Sequence, residues 1–242
     1  MTESVNEGGT AVVLLSGGQD STTCLFWALS RGVTRVHCLS VWYGQRHQIE
    51  LEAARKVVDI ARSHFPDVEI THEELNVGAV LRSTSPLVSE NPLGKYDRVE
   101  DLPGGVEPTF IPGRNVLFLT LAGNRAAEVG AQTIVTGVCQ EDFGGYFDCR
   151  QEFVDAMERA LGQGFVGTDH WVDIQTPLMD LTKSQSVELA VSLEGCMDAL
   201  MWSHTCYSGE FPPCGQCHAC HLRGRGFWEA GVMDPLMNRV DR

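Results

Sequence analysis

The sequence is poor in lysine and lacks both a long apolar run and a leader-like start. Only three of its 18 basic residues are lysines, Lys56, Lys95 and Lys183, so a lysine that acts on phosphate must be one of these. No stretch approaches the roughly 18 consecutive apolar residues of a membrane-spanning helix. The opening residues are polar and acidic, unlike a secretory signal. We therefore expect a cytoplasmic protein without a membrane partner.

Positive charge is also scarce, because the chain has 18 Lys and Arg against 32 Asp and Glu, a formal net charge of -14. An acidic surface repels nucleic-acid phosphates, so we expect small-molecule ligands and no nucleic-acid partner. A chain of 242 residues with 43 % hydrophobic residues buries ~70–75 % of its unfolded surface without disulfides. We expect an α/β domain over residues 1–200 and a small C-terminal segment, 201–242, packed on it.

Short apolar runs alternate with segments of helical periodicity along the chain. This alternation predicts an α/β fold, a doubly wound parallel sheet of Rossmann-like type with ligands at the carboxyl ends of its strands. The segment 76–112 contains prolines and glycines and is expected to be a long functional loop. The predicted strands are 11–15, 36–43, 68–75, 133–138 and 171–175, and the predicted helices are 22–32, 48–63, 115–129, 151–161 and 183–195.

A loop of sequence SGGQDS joins the first predicted strand to the first helix. Its glycines allow backbone N–H groups to curl around an anion at the amino end of a helix. It is neither a Walker loop nor a GxGxxG loop. We predict phosphate binding, with Asp20 as a candidate ligand of Mg²⁺; the alternative is an ordinary turn with Ser16 or Asp20 as the helix cap. The predicted nucleotide-binding residues are Leu15, Ser16, Gly17, Gly18, Gln19, Asp20, Ser21 and Thr22.

Four of the nine cysteines lie close together near the C-terminus, with seven, two and two residues between them. Four thiolates at such spacings suit tetrahedral Zn²⁺, and a complete thiolate set leaves no open position for catalysis. An iron–sulfur cluster or redox thiols are the alternatives, although Gly224 stands where a ferredoxin-type run has its next cysteine. We predict a structural zinc hairpin held by Cys206, Cys214, Cys217 and Cys220.

Arg114 and Lys183 are the strongest candidates for phosphate chemistry outside the SGGQDS loop. The planar guanidinium of Arg114, next to a predicted helix start, suits a phosphate or a carboxylate. Lys183 also lies at a helix start, where a cation opposes the helix dipole and therefore suggests a function. The alternative for both is an exposed surface side chain. Arg223 and Arg225 are weaker candidates to close over the ligands.

Two polar segments are predicted to recognise the substrate. One begins at the end of the second strand (YGQRH), and the other, 141–150, packs acids, aromatics and an arginine around two glycines. Its acids could bind a nucleobase or Mg²⁺, and the sequence does not decide between these roles; solvated loop side chains are the alternative. The candidates are Tyr43, Arg46, His47, Glu141, Asp142, Tyr146, Asp148 and Arg150.

The SGGQDS loop resembles the pyrophosphate loop of the ATP pyrophosphatases. Further matches make the chain similar to the QueC family, the 7-cyano-7-deazaguanine synthases, over most of its length. The segments that carry this resemblance are YGQRH (43–47), IPGRN (111–115), EDFGGYFDCR (141–150), LTKSQ (181–185) and the cysteine cluster.

The resemblance implies an adenine nucleotide alpha hydrolase-like fold and an AMP-forming ligase. Its substrates would be 7-carboxy-7-deazaguanine, ammonium and ATP with Mg²⁺, and its product the nitrile. It also implies a structural zinc ion, a homodimer, and catalytic roles for Asp20, Lys183 and Arg114. The alternatives are an enzyme that stops at the amide, a tRNA-modifying thiolase, which would need a persulfide cysteine pair, or a zinc-ribbon binding module.

Overall fold

The computed structural model describes residues 8–45, 49–89, 108–140 and 146–240. Its strands are β1 (Thr10–Leu14), β2 (Arg35–Trp42), β3 (Glu69–Asn76), β4 (Thr133–Val135) and β5 (Asp173–Gln175). They form one parallel sheet in the order β3-β2-β1-β4-β5. The chain therefore starts in the middle of the sheet, builds one half, and returns to build the other. This confirms the predicted doubly wound α/β fold.

Both faces of the sheet are buried, as a parallel sheet requires. Along β1, Ala11 and Val13 belong to one core and Val12 to the other. Along β2, Cys38 belongs to the first of these cores and Leu39 to the second. Because successive strand residues point to opposite faces, burial on both sides explains why these strands are nearly continuous apolar runs.

Helices cover both faces of the sheet and are predominantly where the helical periodicity predicts them. The helices are α1 (Gln19–Leu29), α2 (Ile49–His64), α3 (Arg114–Val129), α4 (Gln151–Gly164), α5 (Lys183–Ser192), α6 (Cys196–Leu200), α7 (His218–Glu229) and α8 (Met237–Val240). Side chains of α1, α2, α5, α6 and α7 enter the first core, whereas α3 and α4 supply the second.

The predicted helix over 183–195 ends three residues early in the structure, at Ser192, and a second short helix, α6, follows beyond the predicted range. Gly195, at the N-cap of α6, has a φ of 73°, a value that favours glycine. A Cβ at this position would lie 2.5 Å from Cγ of His64 in α2. The break therefore follows from tertiary packing on α2, which helical periodicity alone does not encode.

Strand β4 ends earlier than predicted, because Gly137, two residues after its end, lies close against the start of α1. A Cβ on Gly137 would lie 3.1 Å from the backbone N of Ser21, so the chain leaves the sheet to pass beside the first turn of α1. The cysteine-rich segment also differs from a paired hairpin: residues 201–217 form a loop that leads into α7. Within the described parts of the chain, no helix is long and apolar enough to cross a membrane.

Candidate active site

A cavity of about 340 Å³ lies at the carboxyl ends of β1, β2 and β4. Its volume falls within the roughly 300–1,000 Å³ of small-molecule sites. Its position beside the central strand is where ligands bind in doubly wound sheets. The SGGQDS loop forms its floor, α3 and the end of β2 form one side, and the cysteine-rich segment forms the other.

The SGGQDS loop is shaped by Gly17, whose φ is 84°. A Cβ on Gly17 would lie 2.2 Å from the carbonyl oxygen of Glu50 and 2.7 Å from the backbone N of Ala54. No side chain fits there without displacing backbone, so glycine is what allows the loop to lie against the first turns of α2.

The hydroxyl of Ser21 closes the loop. It donates to the Gly18 carbonyl at 3.2 Å and accepts from the Ser16 N–H at 3.1 Å. Helix α1 has Gly18 as its N-cap, and no side chain caps it. Neither Ser16 nor Asp20 therefore acts as the cap, and the first-turn N–H groups are arranged as in an anion-binding helix start.

Lys183 and Asp20 form a buried ion pair at the edge of this loop. The Nζ atom donates to Oδ2 at 2.7 Å, and the lysine side chain is only 8 % exposed. Thr182 and Gln185 cap α5 reciprocally and so fix the turn that carries the lysine. A Cβ on Gly226 of α7 would lie 3.0 Å from Cβ of Lys183. The positive charge of Lys183 is tolerated at the amino end of α5 because the Asp20 carboxylate offsets its repulsion by the helix dipole.

Arg114, the first residue of α3, lies on the opposite side of the cavity. Its guanidinium carbon is 5.7 Å from the centre of the Tyr43 ring. Burial opposes the charge on Arg114, but Tyr43, Tyr146 and Asp148 together raise its pKa above the ordinary value. Burial in turn raises the pKa of Tyr43. Arg114 is therefore a permanent cation with an aromatic ring beside it.

The predicted substrate residues are distributed unevenly around this cavity. Tyr43 and Tyr146 line it. Asp148 is buried in the wall behind Arg114, where burial raises its pKa, and it is absent from the cavity lining. Arg150 is likewise absent from the lining and packs over the Phe147 ring at 4.7 Å. Four further candidates, Arg46, His47, Glu141 and Asp142, lie outside the described residues.

Glu50 is a cavity residue that the sequence analysis missed. It lies in the first turn of α2 and lines the cavity together with Gln45 and Arg114. Burial raises the pKa of Glu50 to about 7, although the charge of Arg114 opposes the shift. An acid in the first turn of a helix ordinarily indicates stabilisation of the helix dipole. The sequence feature that could have identified Glu50 as a site residue is its position three residues after the YGQRH segment.

The four clustered cysteines are brought together as the spacing predicts. Their Sγ atoms all lie within 4.8 Å of one another, with Cys214 to Cys220 at 4.0 Å and Cys217 to Cys220 at 3.4 Å. Tetrahedral zinc with Zn–S bonds of about 2.3 Å holds its sulfurs about 3.8 Å apart. Hydrogen bonding with Cys220 lowers the pKa of Cys217 to about 4. The set therefore fits a four-thiolate metal ion.

The cysteine-rich segment contacts the SGGQDS loop directly. The backbone N–H of His204 donates to the Gly17 carbonyl at 2.8 Å. Cys206, two residues further on, lines the cavity. Order in the cysteine cluster and the shape of the SGGQDS loop are thus physically linked.

Arg223 lines the cavity, but its guanidinium group is held by partners within the protein. Its Nε and one terminal nitrogen donate to Asp234 at 2.6 and 2.8 Å, and the other donates to the Ser203 hydroxyl at 2.8 Å. Arg225 pairs with Glu229 on the helix surface. These arginines are tied to the fold because their partners lie on α7 and the segments packed around it.

Replacing Arg223 with methionine is expected to lower the free energy of unfolding by about 3–5 kcal/mol, because it leaves the Asp234 carboxylate half-buried without its cation. Urea denaturation followed by circular dichroism measures this. The exposed Arg225→Met control is expected to change stability by less than about 0.5 kcal/mol. Equal effects of the two substitutions would contradict a structural role specific to Arg223.

The fold and the cavity define this protein as a doubly wound α/β protein with a candidate small-molecule site at the carboxyl ends of its central strands. A family model described as "Queuosine biosynthesis protein QueC" matches residues 10–231. The chain therefore belongs to the QueC family.

Two relatives that match this chain over nearly its whole length carry the same name. A Gloeobacter violaceus protein is 53 % identical over 229 residues, 93 % of this chain and 94 % of its own. A Chromobacterium violaceum protein is 45 % identical over 230 residues, 95 % and 93 % of the two chains. Both are called 7-cyano-7-deazaguanine synthase. A solved 4-thiouridine synthetase–RNA complex with bound ATP shares 19 % identity at a TM-score of 0.52 over 93 % of this chain and 51 % of its own, which shows the fold alone.

Proposed function

We propose that this protein is an ATP-dependent carbon–nitrogen ligase that converts 7-carboxy-7-deazaguanine and ammonium into 7-cyano-7-deazaguanine. The observation that carries the proposal is the cavity in which the SGGQDS loop, the buried Lys183–Asp20 pair and Arg114 meet, in a member of a family whose relatives carry that name. An anion-binding loop and fixed cations are what transfer of an adenylyl group requires.

The chemistry explains why a carboxylate needs ATP twice. A carboxylate is a poor electrophile, so adenylation first converts one oxygen into a leaving group and releases pyrophosphate. Ammonia then displaces AMP and forms the amide. Adenylation of the amide oxygen allows elimination of AMP and leaves the nitrile. The balance is two ATP converted to two AMP and two pyrophosphates.

The nucleotide would lie on the residues Leu15 to Thr22, with its β- and γ-phosphates at the amino end of α1. Lys183 would turn from Asp20 to the departing pyrophosphate and offset its growing charge. Asp20 would then hold Mg²⁺, which supplies further positive charge at the phosphates.

The deazaguanine acid would lie towards the Tyr43 side of the cavity. We assign its carboxylate to Arg114, since a guanidinium bonds a carboxylate through two parallel N–H groups. Tyr43 and Tyr146 would contact the ring faces. The remaining candidates from the sequence, Arg46, His47, Glu141, Asp142, Asp148 and Arg150, stay proposals for the base edge.

The cysteine cluster is assigned to Zn²⁺ in a structural role, because a complete thiolate set leaves no open position. We also propose a homodimer, a cytoplasmic location and a division of the chain at residue 200. These three proposals are supported by the family resemblance and the sequence alone.

The function is tested by measuring pyrophosphate release from the purified protein with ATP, ammonium and the deazaguanine acid. Release that needs the acid, with the nitrile identified by mass spectrometry, supports the proposal. An amide as the final product would restrict the enzyme to the first half of the reaction. Release that instead needs tRNA, or no release at all, would overturn it.

Arg114→Lys is expected to weaken binding of the deazaguanine acid by about 10- to 100-fold, the effect of losing roughly 1.5–3 kcal/mol of charge-assisted hydrogen bonding. The affinity for ATP is expected to change much less. Isothermal titration calorimetry with each ligand distinguishes the two. Arg159→Lys, on an exposed residue of α4 outside the cavity lining, is the matched control, and equal losses in both variants would contradict the role of Arg114.

A further inference from the structure

Glu50 has no task in the reaction as derived above, yet its place in the cavity is firmly set. Its carbonyl oxygen lies where a Cβ of Gly17 would otherwise be, so the residue directly adjoins the phosphate loop. Its side chain lines the cavity. Among the described residues, the titratable and charged groups that act on it electrostatically are Tyr43 at the end of β2 and Arg114 on α3.

A carboxyl group in this position is ill suited to bind phosphate. Its negative charge repels an anion, and partial burial makes that charge costly without a cation or an N–H donor. The cavity also holds a separate acid, Asp20, on the β4 side next to Lys183, and that acid is the one placed to face a metal ion on the phosphates. Glu50 lies on the other side of the loop, next to Arg114. Its ligand is therefore a small cation or a hydrogen-bond donor near the carboxylate of the substrate.

We propose that Glu50 forms the ammonium subsite of this protein and accepts the proton that ammonium must lose before it can attack. The inference rests on the proposed ligase function and adds the location of its second substrate. Arg114 would not expel ammonium, since its charge is matched first by the substrate carboxylate and, after adenylation, by the AMP phosphate joined to that group. Two ion pairs would then lie side by side, and the nitrogen would be next to the acyl carbon.

Ammonium has no lone pair, so one proton passes to the Glu50 carboxylate and leaves ammonia. The nitrogen lone pair then forms the C–N bond while the bond from the acyl carbon to the AMP oxygen breaks, and AMP leaves with that electron pair. The nitrogen loses one more proton to solvent to give the neutral amide. Glu50 returns its proton to solvent before the next cycle.

Glu50→Gln tests the proposal because it keeps the shape of the side chain and removes its basicity. Exchange of labelled pyrophosphate into ATP, dependent on the deazaguanine acid and measured without ammonium, reports adenylation alone. We expect this exchange to be retained, and the kcat/KM for ammonium to fall by about 10²- to 10⁴-fold, the usual contribution of a general base. Glu52→Gln, on an exposed residue of the same helical turn, is the matched control and is expected to match the unsubstituted protein.

The pH dependence of the kcat/KM for ammonium is a second readout, because a purely structural role of Glu50 would not affect it. Because the pKa of Glu50 is raised, to about 7, the base form is present above that pH and lost below it. The kcat/KM for ammonium should therefore rise through pH 7 in the unsubstituted protein. Above pH 7 it should level off in the unsubstituted protein, whereas in Glu50→Gln the remaining activity should follow free ammonia and keep rising with pH, with no break near pH 7.

Hydroxylamine provides a chemical rescue, because it is already neutral at pH 7 and needs no base. Glu50→Gln should form the hydroxamate at a rate close to that of the unsubstituted protein. Equal losses with ammonium and hydroxylamine, or loss of the acid-dependent exchange, would overturn the role of Glu50 in activating ammonium. Absence of exchange in the unsubstituted protein would instead contradict the proposed function itself.

Discussion

Lys183→Met is expected to lower pyrophosphate release by about 10²- to 10³-fold. The substitution keeps the buried methylene chain that packs beside Gly226 and removes only the ammonium group, so the fold should persist. The loss follows from the position of Nζ, 2.7 Å from Asp20 at the edge of the SGGQDS loop. Removing one fixed charge-stabilising group from an enclosed site typically costs about 10²- to 10³-fold, and here each product requires two adenylations. Initial rates at saturating ATP, acid and ammonium measure it.

Lys56→Met is the matched control. Lys56 is exposed on α2, with its Nζ 5.6 Å from the centre of the Trp202 ring, and its replacement should leave pyrophosphate release unchanged. Asp20→Asn should also abolish release, and thermal denaturation should show that both site variants remain folded. Release by Lys183→Met at the rate of the Lys56→Met protein would contradict the assignment.

The fold and the phosphate loop could be predicted because their causes are local in the sequence. Strand β1 is an apolar run with no helical period, and Gly17 and Gly18 follow it directly. Lys183 was identified by elimination, since a chain with three lysines has few choices. The cysteines are equally local, because their spacing alone brings four sulfurs within reach of one ion.

The residues that the sequence did not reveal depend on contacts between distant segments. Glu50 is drawn into the cavity because its backbone lies against Gly17, 33 positions earlier. Arg223 is occupied by Asp234 and Ser203, which no pattern in its own helix indicates. The start of α6 is likewise set by the approach of His64 to Gly195. In each case the decisive partner is remote in the chain, so neither periodicity nor a short motif contains it.

Cys217→Ser is expected to abolish stoichiometric metal binding and to weaken ATP binding together. A structural zinc site supplies about 10–16 kcal/mol of binding free energy, and the loop 201–217 has no helix or strand of its own to replace it. Loss of the metal should therefore disorder the segment in which the His204 N–H donates to the Gly17 carbonyl. Elemental analysis is expected to find one zinc per chain before the substitution and none after it. Calorimetry measures the affinity for ATP.

Cys38→Ala is the control, because it removes a buried thiol of the first core and should leave the metal content unchanged. The absorption spectrum separates the two kinds of four-thiolate site: a zinc protein is colourless, whereas an iron–sulfur cluster absorbs visible light and would contradict zinc. Chelation of the metal from the unsubstituted protein should reproduce the loss of ATP affinity. Unaltered ATP binding after complete metal removal would show that the phosphate loop keeps its shape without the cysteine segment, and would contradict the linkage through His204.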